Sequence, residues 1–504
     1  MTEQVASYRR ILRTSSIIGG ASTINIIIGV LRIKVLAILL GPAGLGLVSL
    51  FTGVMGTASA VASLGIGTVG TRQVAEANAQ DNAHALAVTR RAMFWGMLLL
   101  AIAGASVVWS FREVLAARIL GSREYSMTVG WLALGVAFSV VGASQGALIQ
   151  GMRRIGDLAR LSVYGSILNT VLGIALIWRW GSAALWAYVI IGPAISFLLG
   201  YFYVSRLPKI HSDSAAFQEI TEQWRILIRL GVPFVGAGLM QSLVSLWIRV
   251  SVDHTLGVDA LGHFQAAWTI SMQYVGFVLA AMGADYYPRL TGVIGDRIAA
   301  SRLVNEQTEV ALLLSAPIFI AMMGLAPWVI EMLYTPAFAA ATVVLRWQIL
   351  GDVLKVASWP LGFVILAAGA GKTFFWTETS CLMLMGTLIA VFAPIVGLQI
   401  TGIGFLACYA FLLPVVYVLA RRRIQFVWSS MVVRLLTLTF GLTAMVALVS
   451  TYTRWGALLA MVFATALSIY TFGRLTDMSD IGGLAGRIGS LARKMTQKSG
   501  EKHD

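Results

Sequence analysis

Fourteen mostly apolar stretches, each near or above twenty residues, set the terms on which this chain can fold. A helix rises 1.5 Å per residue and the hydrocarbon core of a bilayer is about 30 Å thick, so about twenty such residues make one crossing. The stretches are 15–40, 45–67, 92–110, 129–149, 161–178, 183–204, 226–248, 261–283, 310–333, 340–368, 374–396, 402–420, 431–450 and 455–472. Only 12% of the residues are charged and the mean hydropathy is +0.82. A soluble domain carries about 25% charged residues, so this chain lacks the polar surface to face water on all sides. The expected class is an all-α polytopic membrane protein with about 14 transmembrane helices.

Charge then orients the spans, because cytoplasmic loops carry an excess of Lys and Arg. With the N-terminus placed in the cytoplasm, 25 of the 37 basic residues fall in cytoplasmic segments, 6 in external ones and 6 within spans. One missed helix would invert every later loop, so the asymmetry supports the span count and puts both termini inside. No external loop exceeds about twenty residues, too short for a catalytic domain of its own. Inside, 284–309 carries Asp296, Arg297, Arg302 and Glu306 among apolar residues, which predicts a short helix along the membrane surface. The tail has Ile481, Leu484, Ile488, Leu491 and Met495 at helical spacing beside Arg487, Arg493 and Lys494. That pattern predicts an interfacial helix on anionic lipid. No cleavable signal peptide is expected ahead of the first span. Cys381 and Cys408 lie in apolar stretches without metal-ligand spacing, and read as small buried apolar residues.

The first and seventh spans end alike. Leu40-Gly41 and Leu45-Gly46 match Leu256-Gly257 and Leu261-Gly262 at a constant offset of 216, which also aligns Arg13 with Arg229. Six spans separate the copies, so both have the same orientation, as a parallel internal repeat requires. The expected organisation is an N-lobe at 1–204, an inter-lobe loop at 205–225 and a C-lobe at 226–420. Two further helices at 421–472 and a basic tail at 473–504 complete the chain.

Several loop motifs carry a likeness. Leu36 to Gly46 (LAILLGPAGLG), Arg72-Gln73-Val74-Ala75-Glu76, Gln150-Gly151-Met152-Arg153-Arg154-Ile155-Gly156-Asp157 and Asp285-Tyr286-Tyr287-Pro288-Arg289-Leu290 occur in order and in the corresponding loops. Over roughly residues 10 to 420 the chain resembles the Wzx translocases of bacterial O-antigen and enterobacterial antigen. The resemblance implies the multidrug/oligosaccharidyl-lipid/polysaccharide exporter fold, with two six-helix lobes around a central cavity. It also implies a cargo, an undecaprenyl-pyrophosphate-linked oligosaccharide moved from the cytoplasmic to the periplasmic leaflet of the inner membrane. Neither the lipid nor the direction of movement follows from composition or spacing.

Charged residues within spans are costly, at about 2.5–3.5 kcal/mol on insertion scales, and so usually face a cavity or a partner. In the first span Ser22, Asn25, Gly29 and Arg32 share one helix face. Lys34 lies on another face, where lining the cavity and snorkelling to the interface compete. The seventh span carries Gln241, Ser245 and Arg249 on one stripe, with Arg229 near its inner end. The eighth shows Gln265, Thr269 and Gln273, a surface suited to sugar hydroxyls. In the tenth, Gln348, Asp352 and Lys355 share a face and Arg346 sits further out; Asp352 and Lys355 either pair with each other or line the cavity. An arginine fork binds phosphate oxygens bidentately. Arg32, Lys34, Arg229, Arg249, Gln273, Arg289, Arg346 and Lys355 are therefore the candidate substrate contacts, and Asp352 the candidate for coupling to a proton or sodium gradient. No metal or other cofactor is expected, and none of these groups is catalytic.

Two other readings compete. A multidrug or cation antiporter of the same fold would present an apolar or acidic pocket. A membrane polysaccharide polymerase or ligase would carry a large external loop with catalytic Arg or His, where this chain offers only scattered groups such as Asp253 and His254. The expected partners are the lipid-linked oligosaccharide, membrane lipids and polysaccharide-assembly proteins, with no nucleic acid.

Overall fold

The computed structural model describes residues 2–208, 216–453 and 455–479. Their helices are α1 (Thr2–Ser63), α2 (Ile66–Ala79), α3 (Ala83–Ser110), α4 (Arg112–Ile119), α5 (Ser126–Gly151), α6 (Ile155–Trp180), α7 (Leu185–Ser205) and α8 (Phe217–Leu256). They continue with α9 (Val258–Val293), α10 (Arg297–Leu333), α11 (Ala341–Ala367), α12 (Gly371–Val396), α13 (Gln399–Ile424), α14 (Ser430–Tyr452) and α15 (Trp455–Ser479). The fourteen apolar stretches lie on helix over nearly all their length, the second interrupted by a turn at Leu64–Gly65. Among the described residues, ten helical stretches are long and apolar enough to cross a membrane, and Gly19–Ser63 (45 residues) and Ile155–Ser205 (51 residues) are each long enough for two crossings. The protein is an all-α, multi-pass membrane protein.

Helix ends follow local chemistry. α1 breaks at Gly41, whose φ of 62° and ψ of −170° are open to glycine, with Pro42 immediately after. The Asn82 side chain accepts the Ala85 N–H at 2.9 Å to start α3, and Ser429 accepts the Val432 N–H at 3.2 Å to start α14. Glu219 folds back onto the Ala216 N–H at 3.0 Å ahead of α8. Asp296 caps α10 through the N–H groups of Ile298 and Ala299.

Contacts gather the chain into two compact units, Met1–Gly262 with Leu333–Thr335, and His263–Met332 with Pro336 onward. This boundary falls one crossing after the 205–225 segment at which the sequence divides the lobes. In the first unit α3, α5 and α7 form the centre, where Trp131 stacks on Trp186 at 5.6 Å and Phe138 meets Phe197 at 5.4 Å. The repeated Leu-Gly motifs meet reciprocally there. A methyl group on Gly46 would stand 2.3 Å from the Val258 carbonyl oxygen, and one on Gly262 would stand 2.0 Å from the Pro42 carbonyl oxygen. Under the offset of 216, Pro42 corresponds to Val258 and Gly46 to Gly262, so one contact is made twice, once in each sense. Gly257, the counterpart of Gly41, likewise has positive φ, at 87°. The offset of 216 thus relates two close contacts between the motifs.

The second unit is built around α11, which is buried along most of its length and packs most closely with α13. Gly351 admits the Phe405 ring, and Gly402 admits the Val344 backbone, whose oxygen would lie 2.7 Å from an added Cβ.

Three expectations change. Segment 284–309 is no separate surface helix: α9 and α10 run through it to a short turn ending at Asp296, and Arg302 pairs with Glu306 at 2.7 Å along α10. Cys381 and Cys408 are buried as expected, but they are joined in a disulfide between α12 and α13, with Cα atoms 4.9 Å apart. The two helices form an antiparallel hairpin that brings both side chains to the same depth. Denatured without reductant, the protein should take up no thiol reagent, and after reduction two equivalents, read by mass spectrometry; two equivalents before reduction would contradict the pairing. The GxxxG spacing of Gly142 and Gly146 in the sequence predicts close helix packing, yet a methyl group at either meets nothing nearer than 3.8 Å. The amphipathic pattern at 481–495 lies outside the described residues.

Candidate transport sites

The richest polar constellation in the membrane-spanning part of the second unit centres on Asp352 of α11. Its side chain is wholly buried. Ser271 and Tyr274 of α9 both donate their hydroxyls to Asp352 Oδ2, at 2.7 and 2.5 Å. Asp352 Oδ1 has no partner, and neither polar atom of Gln348, one turn earlier, has one. A buried acceptor without a donor costs about 1–3 kcal/mol. The centre therefore retains unspent capacity for a proton or a small ligand.

Lys355 shares this helix face but does not close an ion pair with Asp352. Its Nζ donates toward Met272 Sδ at 3.3 Å and lies over the rings of Tyr409 and Phe405 on α13, at 5.6 and 5.7 Å. Aromatic faces stabilise a desolvated ammonium through the ring quadrupole. Glu378 of α12 and Asp352 both stand within electrostatic reach of it. The ion pair that the i, i+3 spacing offers is not closed, and two carboxylates, on α11 and α12, act electrostatically on one ammonium.

In the first unit the stripe on α1 is partly occupied. Asn25 Nδ2 donates to Ser162 Oγ of α6 at 2.7 Å, and Arg32, half-buried, is within electrostatic reach of Tyr188 on α7. Lys34 donates to the Tyr334 carbonyl. Arg249 is half-buried on α8, with Nη1 3.4 Å from where a Gly53 methyl would lie. Arg229 and Gln273 are exposed. Gln265 and Thr269 bond to one another at 3.1 Å. Arg289 is exposed and pairs with Asp285 at 2.9 Å. Arg346 donates to the Ser450 carbonyl at 3.3 Å, on the side of α11 that faces α14. Of the candidate contacts, Lys355 and Asp352 are thus brought together in the second unit, while Arg32, Lys34 and Arg249 belong to the first.

Sequence reasoning missed Ser271, Tyr274, Glu378 and Tyr409. Glu378 carried a usable signal, as an acid four residues into a span. A lone Ser or Tyr in an apolar helix carries none until its neighbour is known.

The loop motifs do structural work. Val74 of the 72–76 motif is fully buried, and with the Thr71 carbonyl it crowds Gly151 of the 150–157 motif, at 2.7 and 2.9 Å from an added Cβ. Asp157 joins Arg154 and Arg160 at 3.5 and 3.2 Å. Tyr286 is buried and donates to the Pro360 carbonyl at 3.0 Å. The sequence pattern of the family described as Polysaccharide biosynthesis protein matches residues 11–293, more than half of the chain. The chain belongs to that family. The Lipid III flippases of Escherichia coli (strain K12) and Shigella flexneri are each 26% identical to it over 400 residues, covering 76% of this chain and 90% of theirs. Among solved structures, the Lipid II flippase MurJ in an inward closed conformation matches with a TM-score of 0.72 at 12% identity, over 91% of this chain and 98% of that one. An inward-facing multidrug resistance MATE family transporter of the MOP superfamily matches with a TM-score of 0.68 at 17% identity, over 80% and 94%. At these identities the structural matches establish the fold alone, which is that of this exporter superfamily.

Proposed function

We propose that this protein is a flippase for lipid-linked oligosaccharides. It carries an undecaprenyl-pyrophosphate-linked repeat unit of the O-antigen kind from the cytoplasmic to the periplasmic leaflet of the bacterial inner membrane, by alternating access. Its termini lie in the cytoplasm. The observation that carries the reading is the set of cations within the spans, above all Arg32 on a helix whose described apolar part, Gly19–Ser63, contains no acidic residue. Pyrophosphate is multiply anionic, and a guanidinium fork in water-poor surroundings binds it strongly. A cationic drug would be repelled from the same helix. The likeness to proteins named Lipid III flippase points the same way.

The centre at Asp352 supports coupling to a proton or sodium gradient. A pyrophosphate drawing on Lys355 removes positive charge from beside Asp352, so the carboxyl gains affinity for a cation as cargo binds.

Two experiments test the reading. In a strain lacking its own flippase, this chain should restore polysaccharide display and give no drug resistance; resistance without display would favour the antiporter reading. Arg32→Ala should abolish the restored polysaccharide ladder while membrane abundance stays at wild-type level. A normal ladder from that variant would remove Arg32 from the cargo path.

A further inference from the structure

A cavity in the second unit, of about 510 Å³, lies between α10, α11, α14 and α15. Pro327, Trp328, Arg346, Ser450, Tyr452 and Ala457 line it, and no carboxylate does among the described residues. Tight packing creates it: a methyl on Gly324 would stand 2.2 Å from Ala460 Cβ, and one on Gly456 would stand 2.2 Å from Ser450 Oγ. Two donors of the lining, Arg346 Nε and Ser450 Oγ, are buried and have no hydrogen-bond partner. Arg346 spends one other nitrogen on the Ser450 carbonyl. The Thr451 and Thr453 hydroxyls already donate within α14 and its end, to Ala447 and Val449. One guanidinium nitrogen and a serine hydroxyl left without acceptors among the residues of one cavity call for an oxyanion.

Position limits which oxyanion that is. The cavity lies at the end of the unit that carries the α10–α11 and α14–α15 connections, which the distribution of basic residues places away from the cytoplasm. Trp328 is 53% exposed and Tyr452 79% exposed beside it, and such aromatics sit at headgroup level in a membrane. We infer that this cavity binds the phosphate of a membrane lipid in the outer leaflet, held by Arg346 and Ser450. The site gives α14 and α15 a ligand of their own, distinct from the Asp352 centre. Because it is defined by binding, it stands or falls independently of whether the protein flips its proposed cargo.

The test is lipid retention by the full-length purified protein, read by native mass spectrometry. The probes are phosphatidylglycerol, a polyprenyl diphosphate, diacylglycerol and inorganic phosphate. One phosphorylated lipid should remain bound where diacylglycerol does not, and inorganic phosphate should not displace it. Arg346→Gln should weaken retention by about tenfold or more, since a charged hydrogen-bonded contact is lost. Arg346→Lys should fail to restore the fork, Ser450→Ala should show a smaller loss, and Arg118→Gln, on α4, no loss. Offering the two phosphorylated lipids separately identifies which source the site takes, and tight retention of either satisfies the inference. Unchanged retention in Arg346→Gln and Ser450→Ala, equal retention of diacylglycerol, or displacement by inorganic phosphate would overturn it.

Discussion

Replacing Gly262 by alanine should lower the melting midpoint of this protein clearly, although it adds one methyl group. The new Cβ would lie 2.0 Å from the Pro42 carbonyl oxygen and 2.6 Å from its carbonyl carbon. Backbone cannot swing aside as a side-chain tip can, so the two motifs must separate. Overpacking of this kind typically costs about 1–3 kcal/mol. Gly46→Ala should behave likewise, through the Val258 oxygen at 2.3 Å. Gly56→Ala, in open space on the same helix as Gly46, should leave thermal stability unchanged. The double variant should lose less than the sum of the singles, because one separation relieves both contacts. Melting of the detergent-solubilised protein measures this, and a Gly262→Ala midpoint equal to that of Gly56→Ala would refute the reciprocal contact.

At Asp352, alanine and asparagine should separate structure from coupling. Alanine leaves the Ser271 and Tyr274 hydroxyls without their acceptor and Lys355 without one flanking charge. Removing one member of a buried charge constellation costs about 3–5 kcal/mol, so Asp352→Ala should be poorly abundant. Asparagine still accepts both hydroxyls through its carbonyl oxygen but cannot ionise. Asp352→Asn should therefore insert and accumulate normally while transport falls by at least tenfold and loses its pH dependence. Wild-type transport with an unchanged pH profile in Asp352→Asn would take this residue out of the cycle.

What could be read from the sequence divides along physical lines. Hydropathy over twenty residues depends on local composition alone, so every apolar stretch was legible. The repeat was legible too, as Leu-Gly pairs at a fixed offset. Its reciprocity was not, because the approach of Gly262 to Pro42 depends on how two helix ends cross. The disulfide escaped for the same reason: whether Cys381 and Cys408 face each other is decided by the rotation of α12 against α13. Asp352 and Lys355 stood out as charges in an apolar span. Their partners did not, because Ser271 and Tyr274 acquire a role only through hydrogen bonds to another helix. Arg346 looked like one more cation on the α11 face, yet its contact runs to α14.

Reconstituted into proteoliposomes with a fluorescent undecaprenyl-pyrophosphate oligosaccharide, the wild-type protein should make the inner-leaflet pool accessible to an external glycosidase at a rate well above that of protein-free vesicles. Arg32→Ala, present in equal amount, should not exceed the protein-free rate. Accessibility that stays at the protein-free level with wild-type protein, in vesicles where the same protein moves a cationic drug, would contradict the account.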